Sequence, residues 1–265
     1  MHGYTSRESL RLREQSAILE TILHSDTAFP ADSHVLEAGC GVGAQSSILS
    51  SKCPGTRFTA VDISEDSLIQ AKCLDLPNFT FTKGDIFALP FENEFFDHVF
   101  VCFVLEHLNA PVRALTELRR VLRPGGTLVL IEGDHGSCFW HPETERSLSV
   151  WNALIAVQRK LGHDPNIGRR IGPLLTAAGF EVQSTRPCWL YADANSQQLL
   201  DGMVNHIIVP MVMTVREAVT GKFMKPDDWD RGIAELEASG NPPEGTFFYT
   251  WFKAVAGKKS GAGKS

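Results

Sequence analysis

The stretch Glu37-Ala38-Gly39-Cys40-Gly41-Val42-Gly43 sets three glycines at alternate positions between a β-forming run, His34–Ala38, and a helical pattern, Ala44–Lys52. Glycines at that spacing permit a tight turn and let the backbone approach a ligand closely. The helix that follows aims its first N–H groups and its positive dipole end at an anionic group. Asp62 ends the next β-rich run, 23 residues after Gly39, where a carboxylate can accept two charge-assisted hydrogen bonds from ribose hydroxyls. A further acid, in Gly84-Asp85-Ile86, follows the third run within reach of an adenine amino group. Together these point to an adenosine-containing cofactor. Gly39, Gly41 and Ala44 also satisfy the dinucleotide fingerprint, so the glycines alone leave a nicotinamide cofactor open.

The elements that must hold these residues alternate between short β runs and helical patterns, the signature of βαβ units and a mostly parallel sheet. Strands are expected at His34–Ala38, Arg57–Asp62, Phe79–Lys83, Phe96–Phe103 and Thr127–Glu132, with helices at Ala44–Lys52, Glu65–Leu74 and Pro111–Leu122. Thr5-Ser6-Arg7-Glu8 reads as a capping box opening an N-terminal helix. Arg123-Pro124-Gly125-Gly126 ends the helix before it. After about residue 133 the rhythm changes. Helices are expected at Glu143–Leu161, Ile167–Ala178 and Trp229–Ala238, strands at Glu181–Trp189 and Thr246–Ala256, and a Met-rich apolar segment at Ser196–Met213.

Three further features separate the two cofactor classes: Glu37 two residues before the first glycine, Asp85 after the third strand, and Phe96-Asp97-His98-Val99 leading into Leu105-Glu106-His107-Leu108 and then Leu122-Arg123-Pro124-Gly125-Gly126. With Val61-Asp62-Ile63-Ser64 and Leu89-Pro90-Phe91, this set resembles the class I S-adenosylmethionine-dependent methyltransferases, in the small-molecule group of the ubiquinone/menaquinone C-methyltransferases. The match spans about residues 34–132. It implies an α/β, Rossmann-like, seven-stranded, mostly parallel sheet with helices on both faces, an antiparallel last strand and a helical lid insertion. The corresponding divisions are an N-terminal helical cap (1–30), a cofactor-binding core (31–135), a part that completes the sheet and carries acceptor or lid helices (136–256), and a flexible tail (257–265).

Carried onto matching positions, the resemblance implies that Gly39, Gly41 and Gly43 line the methionine part of S-adenosylmethionine, that Asp62 holds the ribose and that Ile63 packs on the adenine. Asp85 with Ile86 would bind the adenine's exocyclic edge, and Phe103 would lie beside the methionine moiety. Cys40 and Gly84 belong to the same loops. Glu37 can equally hydrogen-bond loop N–H groups, and Tyr4, on a folding-over N-terminus, can offer an aromatic face to a sulfonium, worth ~0.5–2 kcal/mol. Asp97 is expected to fix the start of the fourth strand. His107 is the near-motif group able to take a proton near neutral pH, and so the catalytic candidate; a hydrogen-bonded structural histidine is the plainer reading.

The expected activity is methyl transfer to a small, apolar or aromatic metabolite, with Leu199–Met213, Trp140, Trp151, Trp189 and Tyr191 supplying an apolar pocket or, more plainly, core. The alternative is a cofactor-binding protein of the same fold with a non-methylating role, as sensor, scaffold or rearrangement catalyst. Asp134, His135, Cys138 and His141 resemble metal ligands but lie in an irregular stretch without a paired ligand motif, so no metal is expected. Gly261-Ala262-Gly263-Lys264-Ser265 mimics a P-loop end but lacks its upstream glycine.

Composition narrows the partners. The chain has 265 residues, 25 Lys plus Arg against 31 Asp plus Glu, and a net charge of −6. Lys258, Lys259 and Lys264 stand in the last eight residues, so the body carries −6 − 3 = −9. A body this acidic opposes a nucleic-acid substrate, which needs a basic footprint. No apolar run reaches the ~18 residues of a membrane span, and the polar N-terminus does not read as a signal peptide. Six cysteines without a CxxC pair are expected as reduced thiols in a cytoplasmic protein.

Overall fold

A computed structural model of the chain describes residues 6–260, with side chains from residue 11 onward. Seven strands form one sheet in the order β3-β2-β1-β4-β5-β7-β6: β1 His34–Ala38, β2 Arg57–Asp62, β3 Phe79–Lys83, β4 Phe96–Cys102, β5 Leu122–His141, β6 Glu181–Ala192 and β7 Thr246–Gly257. β1 to β5 pair parallel, while β7 runs antiparallel to both β5 and β6. The expected fold class is the one observed.

Side chains alternate across the sheet, so each strand feeds two apolar layers. Val35, Phe100, Val129 and Ile131 enter one layer with Leu19 and Leu23 of α1 (Ser6–His24) and Leu49 of α2 (Ala44–Lys52). Leu36, Val99, Val101 and Leu130 enter the other, with Leu115 and Leu118 of α4 (Pro111–Val121). α3 (Glu65–Lys72) follows β2 behind a Ser64 cap that accepts from the Ser67 N–H. Asp97 ties three strand starts together, accepting from His34 N at 2.8 Å and pairing with Arg123; it anchors the fourth strand, as expected.

The main departure lies at β5. An irregular stretch was expected after Glu132, yet the strand continues to His141 across a bulge between Asp134 and Phe139. The bulge satisfies its own polar groups: the Ser137 hydroxyl donates to Asp134 O and accepts from Thr250 N. A period-2 reading is blind to such an insertion because the extra residues break the alternation. One sheet therefore crosses the expected division at residue 135. The helix expected at Ile167–Ala178 is a 3₁₀ turn, Ile167–Arg170, followed by α6, Ile171–Ala177. α5 covers Glu145–Lys160 behind a Thr144–Ser147 capping box.

The Met-rich segment folds as α7 (Gln197–Asp201), a π-helical stretch (Gly202–Ile208) and α8 (Val209–Met213). α9 (Arg216–Val219) and α10 (Pro226–Ala238) follow. Leu200, Met203, Val204, Ile207 and Val212 are buried with Trp140 and Trp151 in the first apolar layer. These residues are core, the plainer of the two expectations. Trp189 and Tyr191 are exposed on β6, away from that layer. Lys258, assigned from sequence to the tail, closes the sheet instead: its N–H bonds Gly126 O and its ammonium bonds Leu122 O at 2.7 Å. Tyr4 and the Thr5 end of the capping box lie outside the described residues, as do residues 261–265.

Candidate active site

The order of strands reverses between β1 and β4, and the crevice outside their C-terminal ends is where open α/β sheets receive ligands. The glycine loop occupies that point. Gly39 and Gly43 both hold φ at 80°, a region open to glycine at no steric cost. A Cβ on Gly39 would stand 2.4 Å from Val104 Cγ2, and one on Gly43 2.5 Å from Leu74 Cδ1. The loop is thus clamped between the β4 exit and the end of α3.

Asp62 sits where expected but does more than face a ligand. Its Oδ2 accepts from Gly41 N and its Oδ1 from Ser64 N, both at 2.8 Å. One carboxylate therefore fixes the glycine loop and the start of α3 together, and each oxygen keeps a second lone pair for a ligand donor. Beside it, Ile63 is an apolar side chain 48% exposed at a strand end. Gly84 N bonds Asp62 O, which draws the third loop in; a Cβ on Gly84 would meet Val61 Cγ1 at 2.8 Å. Asp85 is exposed, with one oxygen accepting from Phe87 N, and Ile86 packs against the second apolar layer. A cradle that side chains would fill, an acid with spare lone pairs and an apolar platform at its rim fit an adenosine-bearing cofactor.

Glu37, read as a cofactor contact or a holder of loop N–H groups, is bonded to α2. It is 2% exposed and accepts from the Ser46 hydroxyl of α2 at 2.6 Å. Burial pushes its carboxyl up to about 7, with the Ser46 hydrogen bond opposing and the Asp62 charge adding to the rise. Cys40 is buried, and burial drives its thiol well above the ordinary range.

Past β4, Phe103 is a non-glycine residue at φ 59°, held by its N–H on Ile131 O. Such conformations persist where surrounding structure imposes them, often at functional sites. Its side chain packs partly against the first apolar layer. The 3₁₀ turn Leu105–His107 follows. His107 is half exposed, pairs with Glu106 at 3.3 Å and meets the ring of His163 at 5.3 Å.

Two groups here were not singled out from the sequence as site residues. Glu132, fully buried at the end of β5's parallel part, accepts from Val104 N (3.1 Å) and Leu105 N (2.7 Å) through Oε1, while Oε2 has no hydrogen-bond partner among the described residues. A lone acid ending an apolar strand run was the available signal. Tyr249, on β7, lies 2.5 Å from His135 Nδ1, and both are buried. Asp134, weighed as a metal ligand, instead pairs with Arg169 through both oxygens. Among the described residues no group of three or more His, Cys, Asp or Glu could hold a metal ion.

A surface cavity of about 690 Å³ lies between Ile18 of α1 and residues 194–199, and no glycine-loop residue lines it. No described helix is long and apolar enough to cross a membrane.

Residues 36–130 match a family model described as a methyltransferase domain. A methyltransferase of Schizosaccharomyces pombe is 27% identical over 234 residues, covering 82% of this chain and 81% of that one. The ubiquinone/menaquinone biosynthesis C-methyltransferase of Paracoccus denitrificans is 29% identical over 145 residues, 50% of this chain and 58% of that one. The chain spans about half the length of most of the curated relatives it matches. Among solved structures, a Haemonchus contortus phosphoethanolamine N-methyltransferase in complex with S-adenosylhomocysteine superposes with a TM-score of 0.54 at 18% identity, over 92% of this chain and 53% of that one. With the glycine loop, the acids after β2 and β3 and the seven-stranded sheet in place, the chain carries a methyltransferase domain over residues 36–130 and resembles the class I S-adenosylmethionine-dependent methyltransferases, the ubiquinone/menaquinone C-methyltransferases among them.

Proposed function

We propose that the chain catalyses methyl transfer to a small, apolar or aromatic acceptor. The observation that carries the cofactor side of this reading is the clamped Gly39–Gly43 loop, pinned by Asp62 at the point where the strand order reverses, and the acceptor class is supported by the likeness to the ubiquinone/menaquinone C-methyltransferases. When bound, S-adenosylmethionine supplies a methyl group already activated on a sulfonium. The protein's task is then to orient and desolvate the partners. Gly39, Cys40, Gly41 and Gly43 would hold the methionine end. Asp62 would take the ribose hydroxyls on its spare lone pairs, Ile63 would cover one face of the adenine, and Gly84, Asp85 and Ile86 would meet its edge. Phe103, held at positive φ, would flank the reacting centre. Glu37 would support the loop from beneath through α2. His107, half exposed and paired only loosely with Glu106, is able to receive a proton from an acceptor bearing one.

The reading is tested by incubating the protein with S-adenosylmethionine carrying a labelled methyl group and a panel of metabolite-sized acceptors, with a peptide and a polynucleotide set beside it. Transfer to small apolar or aromatic acceptors is expected. Methylation confined to the peptide or polynucleotide set would overturn the acceptor class. Tight cofactor binding with no transfer to any member would favour a non-methylating role.

A further inference from the structure

We propose that Glu132 is a positioning residue and the buried counter-charge of the cofactor site: its Oε1 holds the Phe103–Leu105 turn against the glycine loop, and its unpartnered Oε2 answers the positive charge a cofactor brings. This inference rests on the cofactor reading above and adds a residue and a proton to it.

Glu132 is fully buried, and its bonds from Val104 N and Leu105 N cap the first turn after β4. That turn carries the strained Phe103 and presses Val104 onto Gly39, so closely that no side chain fits there. One carboxyl thereby sets the distance between the two walls of the methionine site. The second oxygen is the anomaly. It is buried and bonded to nothing among the described residues, and an unsatisfied buried carboxyl oxygen costs free energy in either protonation state.

The groups around it do not neutralise it. Glu106 stands on the turn it caps, Cys102 on β4, where the charges of Glu132 and of Glu37 from β1 both raise its thiol, and Asp134 and His135 follow on β5. His107 and His163 stand beyond Glu106. Of the nearby cations, Lys253 on β7 is committed to Leu23 O, Asp26 and Thr27, Arg169 to Asp134, and Arg11 of α1, whose charge reaches His135, donates to Gln15. Burial first, then the Glu106 charge, drives the carboxyl well above the usual carboxylate range. The N–H groups of Leu105, Val104 and Glu106 oppose that rise, and the net effect is a carboxyl that holds its proton to higher pH than a free one.

S-Adenosylmethionine brings to its methionine end a sulfonium and an α-ammonium, the latter balanced by an α-carboxylate, so that one net positive charge enters the site. Placed beside the turn, positive charge favours the ionised carboxylate. The proton on Glu132 leaves to solvent as the cofactor enters, and the new negative charge stays in the protein. Because the free site holds the extra proton, affinity rises with pH until the free carboxyl itself ionises.

The experiment is calorimetric titration of the full chain with S-adenosylmethionine and, separately, with S-adenosylhomocysteine, in two buffers of different ionisation enthalpy at one pH near neutral. Wild-type protein is expected to release a substantial part of about one proton per site, and Glu132→Gln to release none and to bind S-adenosylmethionine about tenfold or more weaker. Release with both ligands assigns the effect to the ammonium they share. Release with S-adenosylmethionine alone assigns it to the sulfonium. Buffer-independent heats in the wild type, or release that persists in Glu132→Gln and so comes from Glu37, overturn the proposal. Should Glu132→Gln not fold, infrared difference spectra of the wild type decide the matter: a protonated carboxyl band that is lost on cofactor binding is expected, and no loss of any such band refutes the idea. If neither ligand binds the wild type at all, the cofactor reading itself fails.

Discussion

Replacing Asp62 with asparagine keeps the side chain's shape and removes one acceptor. In the native arrangement the two carboxylate oxygens accept from Gly41 N and Ser64 N, each at 2.8 Å. An amide can satisfy one of those N–H groups through its oxygen and must turn its NH₂ toward the other, donor against donor. One charge-assisted hydrogen bond is lost, worth about 1.5–3 kcal/mol, and the glycine loop or the start of α3 is released accordingly. If loop placement is what the ligand requires, this free energy appears in binding. The dissociation constant for S-adenosylhomocysteine should then rise by roughly 10- to 150-fold, since about 1.4 kcal/mol is a factor of ten. Calorimetric titration reads it directly, with the unfolding midpoint as a control that the fold survives. An affinity for Asp62→Asn within threefold of wild type would refute the reasoning, because neither loop pinning nor ribose contact could then depend on the carboxylate.

Four other outcomes follow from the same geometry. Gly39→Ala must place its Cβ into Val104 at a positive φ, so overpacking and strain together should cost about 2–4 kcal/mol; calorimetry should find cofactor binding reduced by at least tenfold. Glu37 is raised to about 7 from an ordinary 4.5, so the folded state holds a proton that the unfolded chain gives up. Stability should therefore fall as pH rises from about 4.5 to 7, by on the order of 3 kcal/mol, and denaturant curves of Glu37→Gln should lack that part of the slope. Lys253→Met leaves Leu23 O without its ammonium donor at the end of α1; the loss should be about 1.5–3 kcal/mol, seen as a lower thermal midpoint. His107→Gln should lower turnover about 10²-fold or more with an acceptor that must lose a proton, while leaving the S-adenosylhomocysteine affinity unchanged.

The sequence made the cofactor half legible because its constraints are local. A positive φ at Gly39, a strand-end acid at Asp62 and a helix cap at Ser64 each depend on neighbours a few residues away. The boundaries of β1, β2 and β3 were readable for the same reason, through runs of apolar residues between turn formers. The second half depends on partners far along the chain. β5 extends past Glu132 because β7, more than a hundred residues later, pairs with it as far as His141. Trp140 and Trp189 are the same residue type, each preceded by apolar or cysteine neighbours, yet one is buried in the core and the other exposed on β6, the edge strand beside β7 among the described residues.

The glycine-loop acids show the same division at the scale of single atoms. The sequence alone determined that glycines follow a strand, that acids follow two more, and so which class of cofactor the fold serves, because backbone conformation and ligand charge dictate those residue types directly. Only the tertiary structure decided what the acids bond. Asp62 is a clamp on Gly41 and Ser64, Glu37 rests on Ser46, and Glu132 holds a turn 27 and 28 residues earlier while one of its oxygens stays unpaired among the described residues. Burial and hydrogen-bond satisfaction are properties of the packed sheet, and no spacing along the chain encodes which buried oxygen will be left without a partner.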